Sequence, residues 1–300
     1  MPWLQIRFTV ARAEAPLLEA ALENAGALAV TLDDAGDDPL LEPLPGATPL
    51  WSGVRITGLF EDDPQTLTLV QTLAATLGRT PGDQGQMPPL IERLEDRPWE
   101  RIWLDDFHPT RFGRRLWVCP QGQPAPDPEG IIVDLDPGLA FGTGHHPTTA
   151  LCLEWLDSAK LAGRTLLDYG CGSGILAIAA LKLGAAHAIA LDHDPQAIEA
   201  TRRNAEANRV AECLLPCQPD DLERLGARLP VDLVIANILA GPLVELSPTL
   251  LRHVRPGGDL VLSGVLADQV ASVTAAYAQG VDLDAVRTRE GWALIAGVRR

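Results

Sequence analysis

The sequence predicts a doubly wound α/β sheet preceded by a small α+β domain of ferredoxin-like type. Three observations predict it. The segment Thr165-Leu166-Leu167-Asp168-Tyr169-Gly170-Cys171-Gly172-Ser173-Gly174-Ile175 runs from an apolar strand through a glycine loop into an apolar helix start. From Pro147 onward, apolar runs alternate with helical stretches, the pattern of a parallel sheet. Before that, elements follow the order βαββαβ.

In chain order, Trp3 to Val10 reads as a strand, and Glu14 to Asn24 has helical spacing with Leu17, Leu18, Ala21 and Leu22 on one face. Ala27 to Leu32 reads as a second strand, before an acidic, Pro-rich stretch from Asp33 to Pro49. Val54 to Phe60 is a third strand. Pro64 to Leu77 is a helix opened by Glu61, Asp62 and Asp63, acids that suit a helix N-terminus. Pro89 to Leu94 completes the set. This domain holds no His or Cys, so a binding role is expected of it. Arg97 to Leu104 reads as a short amphipathic helix opened by Pro98. Leu116 to Cys119 and Ile131 to Leu135 are short strands on either side of a Pro- and Gly-rich run. Helix Thr148–Ala159, strand Thr165–Leu167 and its glycine loop, strand Ala188–Leu191 and helix Pro195–Asn208 follow. A weak strand near Leu214, strand Val231–Ala236, helix Pro242–Val254, strand Asp259–Ser263, helix Leu266–Gln279 and a terminal strand pair ending at Trp292–Val298 complete the chain. The expected division is a domain over 1–95, a linking helix and connecting segment over 96–130, and the sheet domain over 131–300.

Composition narrows the function classes. With 300 residues, 46% of them hydrophobic, the chain has material for a sizeable core and two domains. No apolar run approaches a membrane span, and Met1-Pro2-Trp3-Leu4-Gln5 lacks the basic start of a secretory signal. The five cysteines are odd in number, and only Cys213 and Cys217 are close together, so neither a disulfide framework nor zinc is expected. A reducing cytoplasm fits. A net charge of −16 argues against direct nucleic-acid binding, which needs clustered Lys and Arg, and suits a basic partner or simply solubility.

The glycine loop carries the chemistry. Dinucleotide folds use G-x-G-x-x-G and seat a pyrophosphate on the helix N-terminus. Here the spacing is G-x-G-x-G, through Gly170, Gly172 and Gly174, with Asp168 two residues before the first glycine. A carboxylate there repels a pyrophosphate and can accept hydrogen bonds from an ammonium group. Asp192 follows the next apolar run at about the twenty-residue offset from which a ribose is held. S-adenosylmethionine carries an ammonium, a sulfonium and a ribose and no phosphate, so it fits better than a nicotinamide dinucleotide. Asn237, on the carboxyl side of the strand Val231–Ala236, sits where a ligand crevice forms. Its carbonyl oxygen can accept a hydrogen bond from an attacking amine without the charge of an aspartate, or its side chain can cap the next helix. The segment Asp136 to Thr149 holds Gly138, Gly142 and Gly144, His145 and His146, and Thr143, Thr148 and Thr149. Thr148 and Thr149 can donate hydroxyls to a ligand or cap the helix that follows. Adjacent histidines invite a metal or general-base reading, but no carboxylate spacing completes a metal site, and none is expected.

These motifs resemble those of the ribosomal protein L11 methyltransferases, the PrmA family of bacteria, over nearly the full chain. The resemblance rests on Met1-Pro2-Trp3, Glu42 to Gly46, Asp106-Phe107-His108-Pro109, Arg111-Phe112-Gly113, Asp136 to Gly144, Asp168 to Ala180, Asn237 to Pro242 and Leu262 to Leu266. Phe141-Gly142-Thr143-Gly144, His146-Pro147-Thr148-Thr149 and Asn237-Ile238-Leu239-Ala240-Gly241-Pro242 are its specific part. Class I methyltransferases at large share only the Asp168 to Gly174 loop. The resemblance implies a S-adenosylmethionine-dependent enzyme that methylates lysine ε-amines and the N-terminal α-amine of L11. It implies a substrate-recognition domain at the N-terminus and a catalytic domain at the C-terminus, and cofactor contacts at Thr149, Gly170, Asp192 and Asn237. Two positions depart from the family. His145 stands where Thr is usual, and His193 where an apolar residue is usual. A monomer is expected. A methyltransferase of the same fold acting on RNA or a small molecule, and a non-catalytic cofactor-binding protein, are the alternatives. The acidic charge argues against RNA, the separate N-terminal domain against a small substrate, and the intact Asn237 segment against a non-catalytic protein.

Overall fold

The computed structural model describes residues 3–36, 50–77, 89–94, 108–127, 129–136, 146–222 and 229–300. The chain divides into two compact units, Met1–Ile102 and Trp103–Arg300. In the first, alternation in β1 (Trp3–Ala11) sends Leu4, Ile6 and Phe8 to one face, and β3 (Gly53–Glu61) sends Val54, Ile56 and Phe60 to the same face. Helices α1 (Ala15–Asn24) and α2 (Pro64–Leu77) supply Leu18, Leu22 and Val70 to that core. With β2 (Ala29–Asp34) and β4 (Leu90–Leu94) the sheet runs β2-β3-β1-β4, all pairs antiparallel, which is the ferredoxin-like arrangement expected from the sequence.

The second unit is built on seven strands. These are β8 (Thr165–Tyr169), β9 (His187–Leu191), β10 (Leu214–Cys217), β11 (Val231–Asn237), β12 (Val254–Leu266), β13 (Val281–Arg289) and β14 (Trp292–Arg299). The spatial order β10-β9-β8-β11-β12-β14-β13 reverses direction of growth at β8, and β14 alone runs antiparallel. Both faces are buried, so neighbouring residues of one strand enter different cores. Leu166, Leu233 and Ile235 pack with α3 (Pro147–Ser158), α4 (Ile175–Lys182) and α5 (Pro195–Ala207). Leu167, Val234 and Ala236 pack with α6 (Ala240–Glu245), α7 (Ser247–His253) and α8 (Val270–Tyr277). This is the continuous apolar pattern of a sheet covered on both sides.

Three local differences from the sequence reading have physical causes. The single helix expected over Pro242–Val254 is two, α6 and α7, meeting at Leu246; Pro248 lies in the first turn of α7 and breaks the hydrogen-bond ladder there. The strand expected at Asp259–Ser263 extends from Val254 to Leu266. The segment 96–130, read as a linker, contributes strands to the second unit: β5 (Thr110–Phe112) and β6 (Leu116–Pro120) join β7 (Ile131–Leu135) in a three-stranded sheet. Phe112, Leu116, Val118, Val133 and Leu135 from this sheet are part of the core on the α3–α5 side. At three residues, β5 is too short to show a period in sequence. The helix read at Arg97–Leu104, with residues 95–107, lies outside the described residues, as do Gly138 to His145. Among the described residues no helix is long and apolar enough to cross a membrane.

Tyr277 of α8 is fully buried, and its hydroxyl donates to the Leu243 carbonyl of α6 at 2.7 Å. Tyr277→Phe leaves that carbonyl without its donor, and is expected to lower unfolding free energy by about 1 to 2 kcal/mol in a urea titration.

Candidate functional site

The carboxyl ends of β8, β9 and β11 meet where the strand order reverses, the place where open α/β sheets hold ligands. A cavity of about 530 Å3 opens there, within the size range of small-molecule sites. Tyr169, Gly170, Leu191, Asp192, His193 and Pro219 line one side, and Asn237, Ile238, His146, Thr148, Gly264 and Trp292 line the other.

The first side is organised by the glycine loop. The Leu191 carbonyl at the end of β9 accepts from both Gly170 N (2.7 Å) and Cys171 N (2.9 Å). Asp192 Oδ2 accepts from Gly172 N (2.9 Å), and Gly174 N donates to the Cys171 carbonyl (2.8 Å). Gly170 and Gly174 both take φ of 79°, in the left-handed region. A Cβ at Gly170 would strike the Ile238 side chain, and one at Gly174 would sit 2.8 Å from Thr201. These two positions therefore need glycine for conformation and for space.

Asp168 lies beneath this loop, wholly buried, and does not reach the cavity wall. Its Oδ2 accepts from Ala177 N in the first turn of α4 (3.1 Å), and its Oδ1 is buried with no hydrogen-bond partner among the described residues. The protein's own carboxylate thus occupies the anion position that the α4 N-terminus would otherwise offer to a phosphate. With the N–H groups of Gly170, Cys171, Gly172 and Gly174 spent internally, the loop is a poor cradle for pyrophosphate. An unsatisfied carboxylate oxygen below it and the Asp192 carboxylate in the wall suit a ligand with an ammonium and ribose hydroxyls. The residues present therefore fit S-adenosylmethionine.

Asp192 uses two of its lone pairs on the backbone, at Gly172 N and at Asp194 N (3.0 Å), and lines the cavity with acceptor capacity to spare. His193 stands at the cavity rim with its side chain 91% exposed, 3.4 Å from Asp192. On the other side, Asn237 ends β11. It does not cap the next helix: the α6 cap position is Leu239. Its Nδ2 donates to Thr149 Oγ1 at 3.2 Å, and no described group donates to its Oδ1. Thr149 is buried behind Asn237 and is not a wall residue. Gly172 and Gly174 likewise shape the loop without lining the cavity.

His146 proves to be the cap of α3. Its Nδ1 accepts from Thr148 N (3.4 Å), lies 2.7 Å from Thr148 Oγ1, and its ring meets Trp292 edge-on at 4.8 Å. Burial lowers its pKa below the ordinary histidine value, with a smaller opposing effect from Glu290, so the ring is neutral near pH 7. Trp292 reaches this wall because the β13–β14 hairpin turns on Glu290 and Gly291, at φ of 51° and 80°, the two-residue turn with both central residues left-handed. Trp292, Tyr169 and Pro219 were not singled out from sequence. Their one signal was large or rigid side chains beside turn residues, which is too common to select them.

The sheet order, the reversed strand β14 and a largely apolar crevice with the Asp192 carboxylate in its wall and the glycine-loop amides spent internally define a class I S-adenosylmethionine-dependent methyltransferase. The profile of the family described as ribosomal protein L11 methyltransferase (PrmA) matches residues 2–300. The ribosomal protein L11 methyltransferase of Sodalis glossinidius is 52% identical over 304 residues, covering all of both chains. That of Pseudomonas aeruginosa is 52% identical over 302 residues, covering 100% of this chain and 99% of the relative. Among solved structures, the ribosomal protein L11 methylase of Lactobacillus delbrueckii subsp. bulgaricus is 32% identical with a TM-score of 0.59, covering 65% of this chain and 100% of that one. The chain belongs to the ribosomal protein L11 methyltransferase (PrmA) family.

Burial pushes the Asp168 carboxyl up to about 7, the Asp192 charge adds to the rise, and the Ala177 N–H bond opposes it. An unfolded aspartate titrates near about 3.9, so the native state holds this proton more tightly than the unfolded state. The stabilisation from that proton is complete below about pH 4 and is lost as pH rises through about 7. Thermal denaturation without cofactor should therefore show a fall in Tm between about pH 4 and 7 that Asp168→Asn flattens. An equal fall in both proteins would mean that Asp168 is ionised throughout.

Proposed function

We propose that this protein transfers methyl groups from S-adenosylmethionine to amino groups of ribosomal protein L11, at lysine ε-amines and at the N-terminal α-amine. The observation that carries this reading is the Asn237 side chain. Its amide nitrogen is committed to Thr149, leaving an uncharged carbonyl oxygen at the cavity wall to receive an amine N–H. Names of relatives 52% identical over whole chains support L11 as the substrate.

In this reading the loop Gly170–Gly174 holds the methionine part of the cofactor and Asp192 the ribose hydroxyls. The partnerless Oδ1 of Asp168 favours the ammonium from behind the loop, and the ammonium in turn favours the ionised form of a carboxyl that burial raises to about 7. Thr149 acts through Asn237, whose rotamer it fixes. S-adenosylmethionine, when bound, supplies an electrophilic methyl on a sulfonium. A lysine amine has a reference pKa of about 10.4 and attacks only after losing a proton. Ile238, Leu239, Pro242, Leu246 and Trp292 make the cavity largely apolar, which disfavours the charged amine and lowers that pKa. Asn237 then aligns the neutral amine without restoring the charge preference that an aspartate would bring. Beside it on β12, Ser263 donates to Ala293 O of β14 (2.9 Å), which ties the strand next to Asn237 to the following one in the sheet. The N-terminal domain read from sequence over residues 1–95 is the substrate-recognition domain, the sheet domain is catalytic, the net charge of −16 steers a basic partner, and the protein works in the cytoplasm as a monomer.

The test is incubation of purified protein with methyl-labelled cofactor and ribosomal proteins from a strain lacking the activity, resolved by mass spectrometry. Label on L11 at lysine and N-terminal amines is the expected result. Label elsewhere reassigns the substrate. Asn237→Ala should cut kcat by about a hundredfold with cofactor affinity within about threefold of the starting value. Asp192→Ala should do the reverse, weakening binding by calorimetry far more than it slows turnover at saturation. Equal losses of affinity and rate in Asn237→Ala would remove its role toward the amine.

A further inference from the structure

Helix α5 buries a polar stripe against the site. Thr201, Asn204 and Asn208 recur at helical spacing on one face, and all three are buried. Buried polar groups are costly unless bonded, and here each is bonded. Thr201 Oγ1 donates to the Gly172 carbonyl (3.0 Å), and Asn204 Nδ2 donates to the Ser173 carbonyl (2.9 Å), so two rungs grip the glycine loop from behind. Asn204 Oδ1 accepts from Asp136 N (3.2 Å), the residue that follows β7 and opens the Gly-rich segment leading to His146. Since Asp136 N can only donate and Ser173 O can only accept, the orientation of the Asn204 amide is fixed by its partners. Asn208 makes a similar pair of bonds, accepting from Asp134 N (2.9 Å) and donating to Asp134 O (2.6 Å), and its Nδ2 also donates to the Asn204 carbonyl (2.8 Å), but it makes no bond to the loop. The glycine loop spends the N–H groups of Gly170, Cys171, Gly172 and Gly174 on its own fold, so the Gly172 and Ser173 carbonyls are the handles by which the rest of the domain can hold it.

We propose that Asn204 is a positioning residue for methyl transfer: one side chain joins the glycine loop to the start of the Asp136 segment and sets affinity for S-adenosylmethionine. This rests on the cofactor reading given above. The two bonds of Asn204 separate by substitution. Asn204→Asp keeps an acceptor for Asp136 N and loses the donor to Ser173 O, placing a carboxylate against that carbonyl. Asn204→Ala loses both. Asn208→Ala removes a matched buried amide that has no contact with the loop.

Calorimetry with S-adenosylmethionine on the full-length protein, with kcat and KM on L11 and Tm without cofactor, tests the proposal. Both Asn204 variants are expected to raise Kd and KM for the cofactor about tenfold, the scale of a lost buried hydrogen bond, with kcat changing less than about threefold. Asn208→Ala is expected to lower Tm as Asn204→Ala does while Kd stays within about twofold. If Asn204→Ala fails to fold, Thr201→Val, which removes only the hydroxyl bonded to Gly172, is expected to raise Kd several-fold in its place. Kd within about twofold in the Asn204 variants, or an equal rise in Asn208→Ala, overturns the proposal and marks the stripe as general support. An unsubstituted protein that does not bind S-adenosylmethionine overturns the cofactor reading with it.

Discussion

The Leu191 carbonyl is the fixed point of the second unit. It is the last residue of β9, yet it accepts two N–H bonds from the loop that follows β8, so the end of one strand sets the path of the chain leaving its neighbour. Asp192, next in sequence, extends the same hold to Gly172 and presents its remaining oxygen capacity to the cavity. Two consecutive residues thus determine where the loop lies, where α4 begins and where one carboxylate of the crevice stands. Parallel pairing of β8 with β9 is what brings them there, and that pairing is enforced by burial on both faces of the sheet.

Charge placement follows from this frame. A buried carboxylate is costly, and Asp168 is tolerated because the α4 N-terminus offers it an N–H group and a favourable dipole. Its second oxygen lacks a partner, which keeps the group sensitive to any cation above the loop. The opposite wall is arranged by neutral groups. Asn237, Thr149, Thr148 and a neutral His146 form short hydrogen-bonded links, and Trp292 closes the edge. One side of the crevice carries the Asp192 carboxylate and the other presents neutral groups.

How much of this was legible in the sequence depends on the range of the interaction concerned. Strands β8 and β9 could be read from short apolar runs, because burial on both faces leaves a local record. The bounds of β12, the break between α6 and α7 and the existence of β5 depend on partners distant in sequence or on elements too short to show a period. In the site, Gly170, Asp192 and Asn237 were found from residue type and offset, and all three line the cavity. Asp168, Gly172 and Gly174 were found by the same signs and Thr149 through the family resemblance, and all four stand one layer behind the wall, since a motif gives the segment but not the direction of a side chain. His146, by residue type a candidate base or ligand, is a helix cap, because the Thr148 amide two residues ahead claims its ring nitrogen. Trp292 depends on a hairpin turn at the far end of the sheet, and nothing near it in sequence points to the crevice.

That Asp168 fills the head of α4 bears on redesign. Re-engineering a nucleotide site toward another cofactor usually begins with the acid that faces the ribose, here Asp192. In this fold such a change would leave a built-in anion where a diphosphate has to sit and would free no amide to receive it. A nicotinamide-binding descendant would need the Asp168 carboxylate removed and the loop re-threaded away from Leu191 O, two changes that each undo part of the sheet's own edge. The commitment to a phosphate-free ligand is therefore written into the folding of the domain as much as into its ligand contacts.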